Sequence, residues 1–334
     1  MHTAVVRAGR AIAVACAAML LLGTASSSAA SGSAWIKRAP LLAAERDAAV
    51  AATGGRVYLI GGSTNAPAPL KEIQVCNPAA NVWTKAAYAL PSPRWGAAAA
   101  SVGGRIIVIG GGSSDFDFTG TTTVYSIDPT AATVQAEAAL PVPLEQAAAV
   151  PITLSGTQQV MVIGGDMNAK NTPTPVYLYN PVRNTWSREA NLPVKNSFFD
   201  GGAVSVGGTV YFYGGEDDFV GGVLNTSVYR YIPATDTWTK VTTLPAGTDV
   251  TAQAAVGGDG RIYFVASDDK TERQTVIYDP VKNIWTRGPV IPTTHIPRTV
   301  TSLAGTVYAF GGGYFDTSGD LVISTDDWAL STTA

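Results

Sequence analysis

The sequence predicts an all-β, six-bladed propeller with four antiparallel strands per blade. Three observations carry that prediction: a proline-to-tryptophan interval repeated in phase, an apolar strand ending in Gly-Gly that keeps step with it, and chain ends that complete one another. The first marker is a turn proline followed five residues later by Trp or a stand-in: Pro78/Trp83, Pro129/Val134, Pro181/Trp186, Pro233/Trp238 and Pro280/Trp285. The prolines lie 51, 52, 52 and 47 residues apart, and a fixed period near that size is the mark of stacked supersecondary units.

The second marker runs as Val57 to Gly62, Ile106 to Gly111, Val160 to Gly165, Val210 to Gly215 and Val307 to Gly312, with Ala266-Ser267 where one pair is missing. A glycine pair after a strand frees the backbone for a sharp bend and lets a neighbouring unit approach closely. Between the markers each unit reads alike. A small-residue run such as Ala97 to Val102, a Gly-containing turn, the β-branched strand before Gly-Gly, a polar loop, a strand like Val176 to Tyr179, an Asx-Pro turn and the Trp strand make four strands.

These residues carry a family resemblance. Gly-Gly, then Tyr-x-Pro at Tyr179 and Tyr231 or Tyr-Asp-Pro at Tyr278, then Trp, then Leu-Pro at Leu90, Leu192 and Leu244 resemble Kelch repeats, over roughly residues 34–327. The resemblance implies a Kelch-type β-propeller over residues 34–330. No long apolar pattern of helical period competes with it after the N-terminus.

Units end near residues 88, 139, 190, 242 and 289, which leaves a remainder at each end. After Pro292 come three strands, near Val300 to Leu303, Val307 to Phe310 and Leu321 to Thr325, while Trp35 to Pro40 reads as an orphan Trp strand. The two fragments are expected to form one blade, closed by the N-terminal strand as its outermost member, so that the ring has no open edge. Trp328 has no place in that count.

Residues 1–30 differ in kind. Arg7 and Arg10 precede an apolar run, Ala11 to Leu22, and Ser28-Ala29-Ala30 offers small residues, the pattern of a cleaved signal peptide, with Gly32-Ser33-Ala34 as an alternative cut. The apolar run is short for a membrane span, and Cys16 lies inside it rather than after it, which argues against a lipid anchor. The expected location is secreted or periplasmic, not membrane-embedded. Without the leader the chain keeps 20 Lys and Arg against 25 Asp and Glu, a charge of −5 that disfavours nucleic acid as a partner. Cys76, the cysteine left, stands where other repeats carry Tyr, so it is expected to pack between blades.

In a four-stranded meander the short turns gather on one face, and the loops after Gly-Gly and the links between blades gather on the other. A ligand site belongs on the second, around the central funnel. Aligning the units on Gly-Gly puts Glu45 and Arg46, Arg94 and Trp95, Glu145 and Gln146, Phe199 and Asp200, Thr251, and His295 with Arg298 at the funnel mouth. Of these Arg46, Arg94, Trp95, Glu145, Asp200 and Arg298 are the candidate ligand-binding residues. Two uses fit them: guanidinium and aromatic contacts to a sugar or carboxylate ligand, or hydrogen bonds that tie strand ends and neighbouring blades.

Acidic residues recur in the long loops: Asp115, Asp117, Asp166, Glu216 to Asp218, Asp268, Asp269 and Asp316. They read as a solvated rim. Asp115 to Gly120 opens like a calcium loop, but Ser126 stands where the bidentate Glu is required, so no metal is expected. No organic cofactor is implied.

Kelch-type propellers include copper oxidases similar to galactose oxidase. Without residues 1–30 only His295 remains, which cannot supply such a centre, a multi-histidine zinc site or a recognisable Ser-His triad. In plan the chain is also similar to exported bacterial sialic acid mutarotases of the N-acetylneuraminate epimerase type. Gly215-Glu216 matches the acid of that family's fourth-blade loop, which would make Glu216 catalytic, whereas Leu224 stands where the family carries Arg. The expected function is therefore a ligand- or protein-binding module working through the long-loop face, with an unknown protein or carbohydrate as partner. The alternative is a cofactor-independent sugar mutarotase or epimerase.

Overall fold

The computed structural model describes residues 34–64, 69–113, 120–165, 173–194, 199–217, 223–265, 273–316, 318 and 320–333. Residues 1–30, read above as a signal peptide, and the loop residues Asp115, Asp117, Asp166, Asp218, Asp268 and Asp269 lie outside them. Six four-stranded antiparallel sheets follow one another around a ring.

Blade 1 runs from its inner strand outward as Ala49–Thr53, Arg56–Ile60, Ile73–Asn77 and Val82–Lys85. Blade 2 is Ala98–Val102, Arg105–Ile109, Val124–Asp128 and Thr133–Ala136, and blade 3 is Ala148–Leu154, Thr157–Ile163, Val176–Asn180 and Thr185–Arg188. Blade 4 is Phe199–Val206, Thr209–Asp217, Ser227–Ile232 and Thr237–Thr243. Blade 5 is Ala254–Val256, Ile262–Phe264, Gln274–Asp279 and Ile284–Val290.

Blade 6 joins both ends of the chain: Thr299–Leu303, Thr306–Phe310 and Asp327–Ser331 lie inside, and Ile36–Lys37 forms the outer strand. Closure by the N-terminal strand is as expected. The third strand is not: Asp327–Ser331 pairs with Thr306–Phe310, whereas Leu321–Ile323 forms a separate hairpin with Gly313–Phe315. Trp328 thereby finds its place, opposite Ala309 and Lys37. Leu321–Ile323 is only partly buried, while Asp327 to Leu330 is buried throughout, which is why the latter takes the interior position.

Apolar residues alternate along the strands, but both faces of each blade are covered by neighbours, so the core is divided. Six buried clusters form, one at each blade interface. Cys76 is fully buried at the interface of blades 6 and 1, beside Trp83 and Phe310, and burial pushes its thiol up to about 12.

The repeated motifs turn out to be interface hardware. In the turn before each Trp strand, Asn81, Ala132, Asn184, Asp236 and Asn283 have φ near +50°. Asn and Asp tolerate this left-handed region and supply an acceptor. Asn184 Oδ1 accepts from Tyr179 Oη at 2.8 Å and from the Ala138 N–H of blade 2 at 2.7 Å, while Trp186 Nε1 donates to the Ala138 carbonyl at 2.8 Å. Asp236 and Trp238 grip Ala190 of blade 3 in the same two-point clasp. Trp83 reaches Asp327 of blade 6, Trp285 reaches Thr242 of blade 4, and Trp35 reaches Thr275 of blade 5. Blade 2 has Ala132, Val134 and Ile127 in these places and lacks the clasp.

Among the described residues, the Gly-Gly pairs stitch the opposite end of four interfaces. The second glycine's N–H donates to the carbonyl entering the next blade: Gly62 to Arg94 at 2.8 Å, Gly111 to Leu144 at 2.9 Å, Gly215 to Val250 at 2.9 Å, and Gly312 to Glu45 at 3.1 Å. The first glycine lies so close to the same carbonyl that a Cβ at Gly110 would overlap the Leu144 oxygen.

Asn184→Ala removes both acceptor bonds and leaves Ala in a left-handed backbone, and is expected to cost roughly 2–3 kcal/mol in a urea unfolding titration. Ala132→Asn, which relieves the same strain in blade 2, is expected to be neutral or to stabilise by up to about 1 kcal/mol.

Candidate functional site

The inner strands are built from Ala, Gly, Val and Ser because six of them converge on one axis, and they line a central channel of about 360 Å³. At the long-loop end its rim is set by the residues just before each inner strand. Asp47, Gly96, Gln146 and Asp200 occupy equivalent places and all have φ between +52° and +56°. The left-handed turn lets the chain leave its bridge to the Gly-Gly loop, as at Arg46 with Ser63 and Trp95 with Gly112, and enter the strand.

One chain of polar contacts spans the mouth. Gln146 Nε2 of blade 3 donates to Asp200 Oδ1 of blade 4 at 2.9 Å. Arg298, entering blade 6, places Nη1 at 3.7 Å from Asp200 Oδ2 and donates to Thr251 Oγ1 at 2.9 Å. Thr251, entering blade 5, donates in turn to Asp249 Oδ1 at 2.8 Å. On the other side of the rim Arg46 pairs with Asp47 at 2.6 Å. The Asp200 and Arg298 side chains are 21% and 32% exposed, so the pair is reachable from the channel.

Burial pushes the Asp200 carboxyl up to about 7; Arg298 opposes that shift, and the carboxylates of Asp47, Glu216 and Asp249 reinforce it. Arg298 is held above its ordinary value despite burial, by the same four acids.

The candidate residues thus divide. Asp200 and Arg298 come together at the mouth, with Gln146 and Thr251 of the same alignment column, while Arg46 stands on the other side of the rim, paired with Asp47. Arg94, Trp95 and Glu145 lie inside the wall, each 4% exposed or less. Arg94 donates to Thr123 Oγ1 from Nε at 3.2 Å and from Nη2 at 2.8 Å, and its guanidinium lies over the Tyr125 ring; burial lowers its pKa. Glu216 stands beyond Gly215 on the long-loop face, paired across a short hairpin with Leu224, which is 54% exposed. His295 packs 3.8 Å from Asp326, and burial lowers its pKa.

Asp47 and Asp249 were not among the sequence candidates. Asp47 was legible: it stands two residues before the first inner-strand alanine, the register of Gln146 and Asp200. Asp249 lies in an irregular link and has no such signal.

Glu45 illustrates the wall's electrostatics. It is 3% exposed, accepts from Gln74 Nε2 at 3.0 Å, and burial pushes its pKa up to about 8. Asp327, accepting from Trp83, is pushed up to about 6, again chiefly by burial.

Six blades, an interface lattice of clasps and an open polar mouth define an all-β ring scaffold of the propeller class. The chain is a Kelch-repeat β-propeller. The Kelch motif model matches residues 198–245, which spans all four strands of blade 4. Kelch-like protein 25 of Xenopus tropicalis is 24% identical over 281 residues, 80% of this chain and 44% of that protein. Beta-scruin of Limulus polyphemus is 26% identical over 184 residues, 52% of this chain and 19% of that protein. N-acetylneuraminate epimerase of Pasteurella multocida (strain Pm70) is 34% identical over 102 residues, 25% of this chain and 26% of that protein. The chain spans less than half the length of these curated relatives.

The three raised acids set a pH dependence. Each holds its proton in the folded state at a pH where the unfolded chain, with carboxyls near 4, has released it. Their contribution to stability is therefore full below about pH 4 and is lost as pH rises through 6 to 8. The thermal midpoint is expected to fall between pH 5 and pH 9. Glu45→Gln, which keeps an acceptor for Gln74 and cannot ionise, should make the fall above pH 7 shallower; an unchanged slope would show that Glu45 is not the buried acid described.

Proposed function

We propose that this propeller is a binding module whose long-loop face engages a partner protein. The observation that carries the reading is the channel mouth, where side chains from four blades converge on one partly exposed ion pair, Asp200 with Arg298. The clasps that hold the ring lie elsewhere, so groups at the mouth can change partners without opening an interface. Arg46, Asp200 and Arg298 are the contact residues on this reading. Arg94, Trp95 and Glu145 support them from behind. Kelch-type relatives of quite different length support a module that works within varied architectures.

The reading includes export. The basic, apolar and small-residue succession of residues 1–30 supports a secreted or periplasmic location. The acidic balance disfavours nucleic acid. Among the described residues no helix is long and apolar enough to cross a membrane.

A second reading, a sugar mutarotase acting on a carbohydrate, is favoured by one observation: Glu216 lies close enough to the mouth to raise the Asp200 pKa. Such a pair of acids could donate and accept protons at a sugar ring. Against it, Leu224 sits directly across from Glu216 where the similar enzymes carry Arg.

A photo-crosslinking residue at Leu224, on the long-loop face, is expected to capture a discrete partner. The same residue at Val182, 82% exposed on the short-turn face, is expected to capture none, and the reverse pattern would overturn the assignment of the working face. For the second reading, NMR of freshly dissolved sialic acid should show anomer exchange accelerated by the protein and slowed again by Glu216→Gln; exchange at the buffer rate discards it.

A further inference from the structure

We propose that a cleft between blades 4 and 5 docks a branched aliphatic side chain, Val, Ile or Leu, carried on an extended segment of a partner protein. The cleft holds about 230 Å³ and shares no lining residue with the central channel, so the inference does not rest on the reading of the channel mouth.

Two sister interfaces show what fills this place when the chain supplies it. In the links leaving blades 2, 3 and 4, a Leu-Pro pair begins six residues after the Trp position, at Leu140, Leu192 and Leu244. The residue after that pair is Val142 in the first link and Val194 in the second. Both valines are half-buried and pack against the cluster of their interface, as do Trp186 and Trp238. In the third link the same place belongs to Ala246, which is exposed and adds nothing to the cluster of blades 4 and 5.

The backbone explains why the cleft stays open. Thr242 occupies the register of Ala138 and Ala190, whose N–H and carbonyl groups receive the clasps. The outer strand of blade 4 runs on to Thr243, however, and Thr242 pairs with Val228 in its own blade, so Trp285 takes the Thr242 hydroxyl at 3.2 Å instead. The link then folds back in a β-turn, with the Thr248 N–H donating to the Pro245 carbonyl at 3.0 Å and Gly247 at φ +82°. This turn lines the cleft from the side of blade 4, and Val276 and Trp285 line it from blade 5.

The lining suits an aliphatic group with a peptide backbone behind it. Pro245, Ala246, Val276 and the partly buried Trp285 ring supply apolar contact, and a side chain entering there removes apolar surface of both partners from water. Thr286 and Arg287 stand exposed in the same lining and bring donors for the carbonyls of the segment that carries the side chain.

The test is NMR of the intact propeller with the capped tripeptides Gly-Leu-Gly, Gly-Ala-Gly and Gly-Glu-Gly as probes, read at the indole N–H groups. Gly-Leu-Gly is expected to shift the Trp285 indole saturably and to bind roughly tenfold more tightly than Gly-Ala-Gly, while the Trp186 and Trp238 indoles stay in place. Ala246→Val, which puts in the cleft the side chain that the sister links carry, should raise the thermal midpoint and abolish the Trp285 shift. Equal binding of the leucine and alanine peptides, a preference for the glutamate peptide, a shift that survives Ala246→Val, or no shift in the unmutated protein would each overturn the proposal. So would a Trp285 shift that grows with protein concentration in the absence of peptide, because it would give the cleft to a second copy of this chain.

Discussion

The structure depends on the two-point clasp between an outer-strand turn and the blade before it. A left-handed Asn or Asp presents its oxygen to the Tyr hydroxyl of its own blade and to a backbone N–H of the neighbour, while the indole two residues on donates to that neighbour. Each bond alone contributes about 1 kcal/mol, but the geometry is shared between a turn, a strand pair and an interface. Because the two faces of each blade are covered by its two neighbours, the buried clusters lie at the six blade interfaces, and the clasps fix two of them, between blades 2 and 3 and between blades 3 and 4. Ring closure follows the same logic. A two-residue outer strand would be marginal by its backbone bonds alone, yet Trp35 bonds Thr275, Lys37 pairs with Asp326 at 2.8 Å, and Ala39 donates to Asn81 of blade 1.

Most of the fold was legible because its signals are local and repeated. Pro-x-x-Asn-x-Trp encodes a turn, a left-handed position and an interface in six residues, and Gly-Gly encodes a close approach of two backbones. Blade 6 was legible in its closure and misread in its third strand. Leu321 to Thr325 has the apolar run of a strand, but Asp327 to Ser331 is the segment that can hand an acceptor to Trp83 and bury Leu330; that choice is made by the neighbouring blade.

The candidate site was legible only in its location. Aligning the blades on Gly-Gly finds the ring of residues at the mouth, but the direction of each side chain is decided by a shift of two positions. Asp47, Gln146 and Asp200 face the channel from the left-handed turn, whereas Glu45 and Arg94, two places earlier, turn back to the third strands of their own blades, to Gln74 and Thr123. Arginine count therefore overstated the positive charge available to a ligand. Two acids of the same rim, Asp47 and Asp249, sit beside the aligned residues rather than among them. Scaffold and site are segregated along each strand: the clasps gather at the turn side, and the polar mouth lies at the end where Gly-Gly stitches blade to blade.

Native-state hydrogen exchange, read residue by residue, tests the central role of the clasps most directly. The backbone N–H groups of Ala138 and Ala190 are held by Asn184 and Asp236, whereas the interface of blades 1 and 2 has Ala132 and Val134 instead. The account predicts that the blade 1–2 interface opens at the lowest free energy, with Ala138 and Ala190 protected nearly to the level of global unfolding. Uniform protection around the ring, or first opening at Ala138 or Ala190, would contradict it.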